Sequence, residues 1–224
     1  MILRIMGIEE DIEFDDYHDT LLIVQDPNFY ATLLTKINQI SKGMTKSNEI
    51  VLLHNDKNIL SDVELLLDPF NIDLNSKKLL TSLYKTIESN LMEDEKHLLY
   101  FEKIDNINLL VDDYISEYNL EYTYQEELPF SEYLKSINLK LAIPVEATLK
   151  ENLINYLEIM SELLPNKVFI FSNLLAYFSK EDIIELCKYK NYKHIPILFI
   201  ENHDNPSLNF KRYVIDQDLY LYKK

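Results

Sequence analysis

Three runs of nearly uninterrupted apolar residues constrain the fold open to this chain: LLIVQ at 21–25, KVFIFSN at 167–173 and IPILFIEN at 195–202. A strand with one solvated face alternates polar and apolar residues, whereas a strand apolar at successive positions is buried on both faces, as in a parallel sheet. The first run is followed by Asp26, a helix-capping side chain, and Pro27, whose fixed φ suits the first helical position. Phe29, Leu33, Ile37 and Ile40 then recur at spacings of four, four and three, one face of a helix ending near Gly43. Ile50–His54 (IVLLH) reads as the next strand. Leu149, Leu153, Leu157 and Met160 form a second helical stripe, stopped by Pro165 ahead of KVFIFSN. Ser179 and Asp182 have the spacing of a capping box and open a helix expected to run through Tyr189. Short strands at Tyr213–Ile215 and Leu219–Tyr222 are expected to close the chain. Strands alternating with helices predict the α/β class, a largely parallel sheet covered on both faces.

Between Ser61 and Asn119 the pattern changes. LNSKKLLTSLYKTIESNL and EDEKHLLYFEKIDNINLLVDDYISEY are helical, with few strand signals. The expected organisation is a discontinuous α/β head, residues 1–58 and 140–224, carrying a helical extension at 59–139. There is no internal repeat and no low-complexity linker.

Charge limits the function. The 224 residues carry 38 acids against 22 lysines and arginines, a net −16, which opposes a phosphate backbone unless bases are gathered on one face. They are unevenly placed: residues 1–164 hold 13 basic and 31 acidic groups, and 165–224 hold 9 and 7. The acidic run EEDIEFDD reads as a solvated face. Only Gly7 and Gly43 are glycine, too few for most phosphate-cradling loops. GMTKS at 43–47 superficially resembles the end of such a loop. The earlier glycine has no counterpart at Asn38, and Met44 and Thr45 separate Gly43 from Lys46, so nucleotide binding and hydrolysis are not expected.

The single cysteine, Cys187, excludes an internal disulfide and reads as a buried, inert thiol. The five histidines have no metal-protease spacing, and no G-x-S-x-G elbow is present. The longest apolar runs fall far short of the roughly 20 residues that span a bilayer, and the opening residues are neither signal nor transit peptide. A cytoplasmic protein without membrane contact is expected.

Two groups of residues invite a binding reading. Glu121, Glu126, Glu127 and Glu132 fall within twelve residues across an expected strand, turn and helix, where carboxylates can converge on a hard cation such as calcium; dispersed surface carboxylates are the alternative. Lys135, Lys140 and Lys150 flank a helix–strand–helix passage and can face a phosphate backbone if the fold gathers them; isolated lysines lying along apolar surface are the alternative. A small α/β enzyme with an unrecognised site, or a module binding partners through its acidic surface, stays open beside nucleic-acid binding.

The segments TLLIVQDPNFYATLLTKIN, NIDLNSKKLLTSLYKTIESNL, LEYTYQEELPFSEYLKSINLKL, KVFIFSNLLAYFSKEDIIELCKY and ILFIENHDNPSLNFKRYVIDQDLYL, in that order, resemble the DNA-ring-forming adaptation proteins of type II-A CRISPR systems over nearly the whole chain. The resemblance implies a non-catalytic protein whose core is similar to a P-loop ATPase without its motifs. It implies a homotetrameric ring that loads on double-stranded DNA ends, slides, and supports spacer acquisition in antiviral defence beside the integrase pair and effector nuclease. It also implies a structural calcium ion held by Glu121, Glu126, Glu127 and Glu132, although Gln125 stands where an acid is expected, and a lumen lined by lysines such as Lys135, Lys140 and Lys150.

Overall fold

The computed structural model describes residues 1–143 and 146–224, which divide into two compact units, 1–72 with 146–224 and 73–143. The first unit begins with strands β1 (Ile2–Ile5), β2 (Ile12–Glu13) and β3 (Thr20–Val24), helix α1 (Pro27–Ser41), and strands β4 (Ile50–His54), β5 (Lys57–Asn58) and β6 (Val63–Leu66). The second contains α2 (Lys77–Glu93), α3 (Lys96–Ile115) and α4 (Phe130–Ser136). The chain then returns through α5 (Leu149–Leu163), β7 (Val168–Ser172), α6 (Lys180–Lys193), β8 (Ile197–Glu201), β9 (Lys211–Ile215) and β10 (Leu221–Lys223).

The larger sheet has the order β10-β9-β3-β8-β7-β6, with β10 antiparallel at one edge and every other pairing parallel. The α/β class with a mostly parallel sheet therefore holds, and β3, β7 and β8 are buried along their full lengths. Alternation then decides which side chain meets which layer. Leu22, Val24, Ile170, Leu198 and Ile200 join Leu33 and Ile37 of α1 in one core. Phe169, Phe171 and Phe199 belong to the opposite face, meeting edge-to-face at centroid distances of 6.0 and 5.9 Å, with Tyr156 of α5 against Phe169 at 6.2 Å. Each ring so buried contributes about 1.5–3 kcal/mol.

Two features depart from the sequence reading. A second sheet, β2-β1-β4-β5, is antiparallel throughout and places Leu3, Ile5, Ile12 and Leu52 in the core with α1, so that face is covered by a sheet as well as a helix. Its signal is the alternation at the N-terminus, with Leu3 and Ile5 buried and Arg4 exposed. The second departure is β6. Val63–Leu66 pairs in parallel with Val168–Phe171, so the head runs through residue 72 rather than ending at 58, and the helical unit begins at 73 and ends at 143.

The connections are chemically explicit. Asp26 caps α1 by accepting from the Phe29 amide at 2.6 Å, and Pro27 follows it. At the other end of α1, Gly43 has φ +67°; its amide donates to Ile40 O and the Met44 amide to Gln39 O, both at 2.9 Å. That crossed pair is a Schellman stop, so the glycine of GMTKS terminates a helix. Ser179 and Asp182 form the reciprocal capping box at α6, which extends past Tyr189 to Lys193.

Candidate nucleic-acid interface

At the carboxyl ends of β3, β7 and β8, where open α/β sheets commonly hold ligands, this chain holds its own side chains. Only Gln25 and Asp26 separate β3 from α1, and the Asp26 carboxylate accepts from the Phe29 amide in the first turn of that helix, where a phosphate would otherwise sit. Tyr30 Oη lies 2.6 Å from Ser172 Oγ, and Glu201, the last residue of β8, is 4% exposed and accepts from the Leu175 amide at 3.0 Å. Burial pushes the Glu201 carboxyl up to about 7, against the downward pull of the Leu175 and Leu174 amides. Cys187 is also buried, and burial raises its thiol pKa, as expected of an inert cysteine.

Deeper in the head, Lys190 is fully buried. Its ammonium donates to Asp16 O at 3.2 Å, His18 O at 3.1 Å and Asn191 Oδ1 at 2.9 Å, with Asp19 Oδ1 at 3.5 Å. This cation secures the 15–19 loop to the end of α6.

The lysines singled out from sequence fall in different units. Lys150, in α5 of the head, is held by Glu185 at 2.7 Å and Asp182 at 3.2 Å, and those partners raise its pKa. It ties α5 to α6, its charge engaged by two carboxylates rather than open to a phosphate. Lys135 lies in α4, 3.4 Å from Glu132, and Lys140 is exposed just beyond that helix.

In the helical unit the structure brings Lys135 together with two lysines that sequence reasoning missed. Lys77 and Lys85 lie eight residues apart on one face of α2 and share with Lys135 a cleft of about 510 Å3 between α2 and α4. The signal in the sequence is that eight-residue spacing, but the approach of α4, some fifty residues on, is tertiary. Charge within the unit is segregated to match. Residues 73–88 and 130–143 hold five lysines and three acids, whereas 89–129 holds two lysines and eleven acids.

The structure does not bring the four glutamates together. Among the described residues no group of three or more histidine, cysteine, aspartate or glutamate side chains is placed to hold a metal. The physical reason is the path of the chain after α3. Tyr124 Oη donates to Asp112 at 2.8 Å, Asn108 donates to Glu126 O at 2.7 Å, and Tyr100 Oη donates to Leu128 O at 2.7 Å. The segment is thus laid back along α3, spreading Glu121, Glu126 and Glu127 over an exposed run, while Glu132 belongs to α4 and faces Lys135. As placed, these residues do not fit the six to eight oxygens that calcium takes.

The family model described as CRISPR-associated protein (Cas_Csn2) matches residues 44–219. The chain belongs to the Csn2 family. A CRISPR-associated protein Csn2 from Streptococcus agalactiae is 26% identical over 206 residues, covering 90% of this chain and 89% of that one. A CRISPR-associated protein Csn2 from Enterococcus faecalis is 24% identical over 217 residues, covering 96% and 94%. Among solved structures, a Pyrococcus furiosus protein given as an ABC transporter (ATP-binding protein) matches with a TM-score of 0.42 and 9% identity, covering 96% of this chain and 97% of that one. No helix among the described residues is long and apolar enough to cross a membrane.

Proposed function

We propose that this Csn2-family chain is a non-catalytic, double-stranded DNA-binding protein of type II-A CRISPR adaptation, assembling as a homotetrameric ring that loads at DNA ends and slides. The observation that carries the DNA reading is the gathering of Lys77, Lys85 and Lys135 at one end of a unit whose remainder is strongly acidic. At physiological salt the Debye length is about 8 Å, so acids farther away are largely screened from a phosphate at that end. Lys140, exposed on the same segment, joins the contact set.

Self-assembly is supported by α3. Leu98, Leu99, Ile107, Leu109, Leu110 and Tyr114 are all more than half exposed on that helix. At 100° per residue they cover about half its circumference, an apolar surface that a solvated monomer rarely leaves open. Spacer acquisition supplies the role of the ring, with the integrase pair and effector nuclease as its partners. The non-catalytic reading agrees with the closed β3–α1 turn, in which the Asp26 carboxylate already holds the Phe29 amide at the helix start an ATP phosphate would need.

Threading tests the reading. A closed ring enters DNA from an end, so a plasmid linearised by one cut should be bound and its covalently closed form much less, although both present the same charge density. Equal binding to the two forms refutes the ring. On linear duplex, replacing Lys85, Lys135 and Lys140 by glutamine should make log K less steep against log salt by roughly 0.9 per lost phosphate contact; an unchanged slope refutes the interface.

A further inference from the structure

The α2–α4 cleft is more than a basic surface. The lysines that meet a duplex backbone at its rim also line a concavity with a volume of about 510 Å3, within the roughly 300–1,000 Å3 usual for small-ligand sites. Its walls are fixed by hydrogen bonds that do not involve the lysines. Asn75 brackets Leu141, accepting from its amide at 2.9 Å and donating to its carbonyl at 3.1 Å. Tyr84 Oη donates to Leu139 O at 2.6 Å. Glu88 accepts from the amide and hydroxyl of Ser131 at 3.0 and 3.1 Å. Leu79 and Leu134 are buried in the two helices. The cleft is therefore preorganised, and binding does not have to assemble it.

Its lining is selective in sign. Lys77, Lys85 and Lys135 provide three ammonium groups against the single carboxylate of Glu132, a net +2, and the floor includes Leu80 and the Tyr84 ring. A phosphomonoester is close to a dianion at neutral pH, with a second pKa of about 6. A phosphodiester carries one charge. From this match of charge, volume and apolar floor we infer that the cleft binds a terminal phosphomonoester joined to a nucleoside-sized group. The same chemistry is offered by a free nucleoside monophosphate and by the 5′-phosphorylated end of a nucleic acid. Glu132, 3.4 Å from Lys135, is the intrinsic competitor that an incoming phosphate displaces from that lysine. The site stands whether or not the chain closes into a ring.

The test titrates the full chain with AMP, using adenosine as the phosphate-free control, by calorimetry at physiological salt. Gel shifts in parallel compare one blunt duplex with 5′-phosphate or 5′-hydroxyl ends. AMP should bind and adenosine should not. Because Lys85 and Lys135 are exposed, the Lys85→Gln/Lys135→Gln variant should keep its melting curve and bind AMP at least about tenfold more weakly, given the strength of charge-assisted contacts. Lys103→Gln, on α3, should change nothing. Glu132→Gln removes the competing carboxylate and should tighten AMP binding, a gain that misfolding cannot imitate. A 5′-phosphate preference in the duplex that disappears in the double variant identifies the nucleic-acid end as the source; discrimination by AMP alone identifies a free nucleotide. AMP no better than adenosine, or a double variant and Glu132→Gln indistinguishable from the parent, overturns the inference. Loading on linear duplex is read separately, so failure of the cleft and failure of the ring are distinguishable.

Discussion

Replacing Glu201 by glutamine isolates one buried proton at the end of the central β8 strand. The carboxyl is 4% exposed and titrates at about 7 in the fold, against an ordinary value of 4.5 in the unfolded chain. Its pKa is raised, so the folded state binds the proton more tightly. The stabilisation from protonation is complete below about pH 4.5 and is lost as pH rises through about 7. A shift of about 2.5 units at 1.36 kcal/mol each sets the size of the effect at about 3 kcal/mol. Glutamine is neutral at every pH and keeps an oxygen that can accept from the Leu175 amide, 3.0 Å from the present carboxylate. Its extra amide donors add an offset that does not depend on pH. Paired carboxylates such as Asp11, Asp182 and Asp204, whose pKa values are lowered, impose an opposite acid dependence, but they do so in both proteins. The informative quantity is therefore the difference in unfolding free energy between variant and parent, measured by urea titration from pH 5 to pH 8. It should move in favour of Glu201→Gln by about 2–3 kcal/mol over that range. A difference that is flat with pH would show that the carboxyl is ionised in the fold without penalty.

Two further perturbations probe the head. Lys190→Met removes the buried ammonium that holds Asp16 O, His18 O and Asp19, and should destabilise the chain by about 3 kcal/mol while exposing the 15–19 loop to proteolysis; unchanged stability and unchanged cleavage would show that the network is dispensable. Asp26→Ala deletes the α1 cap and should cost about 1 kcal/mol in denaturant titration without creating ATP binding, because the β3–α1 turn stays two residues long; ATP binding by this variant would contradict the closed-turn reading.

Much of the head is legible in the sequence because its signals are local. Continuous apolar runs mark β3, β7 and β8, and Asp26-Pro27 and Ser179-x-x-Asp182 mark helix starts whose hydrogen bonds span only three residues. β6 is less legible. VELL is four residues long, stands beside a helical stretch, and becomes a strand only because the edge of β7 is free to pair with it. The cleft is illegible for a different reason. Lys77 and Lys85 meet Lys135 only after Ser131, Leu139 and Leu141 are bonded to Glu88, Tyr84 and Asn75, and none of those pairs is local. The glutamates show the converse relation. Their nearness in sequence suggests convergence, but hydrogen bonds to α3 hold the chain open, so sequence proximity does not become spatial proximity.

The bracket that Asn75 makes on Leu141 also bears on how the chain can be rebuilt. It joins residues 66 apart, one near each end of the helical unit, so the strands of chain entering and leaving that unit run side by side. An insertion whose ends are already pinned behaves as a cassette. Exchanging it for the corresponding piece of a relative, or expressing it alone with its ends intact, asks little of the remaining backbone, because closing a long loop costs only about 0.6 kcal/mol for each doubling of its length. Asn75→Ala would remove the outermost pin while leaving both helices in place, and would let the ends of the module fray back to the bond between Tyr84 and Leu139.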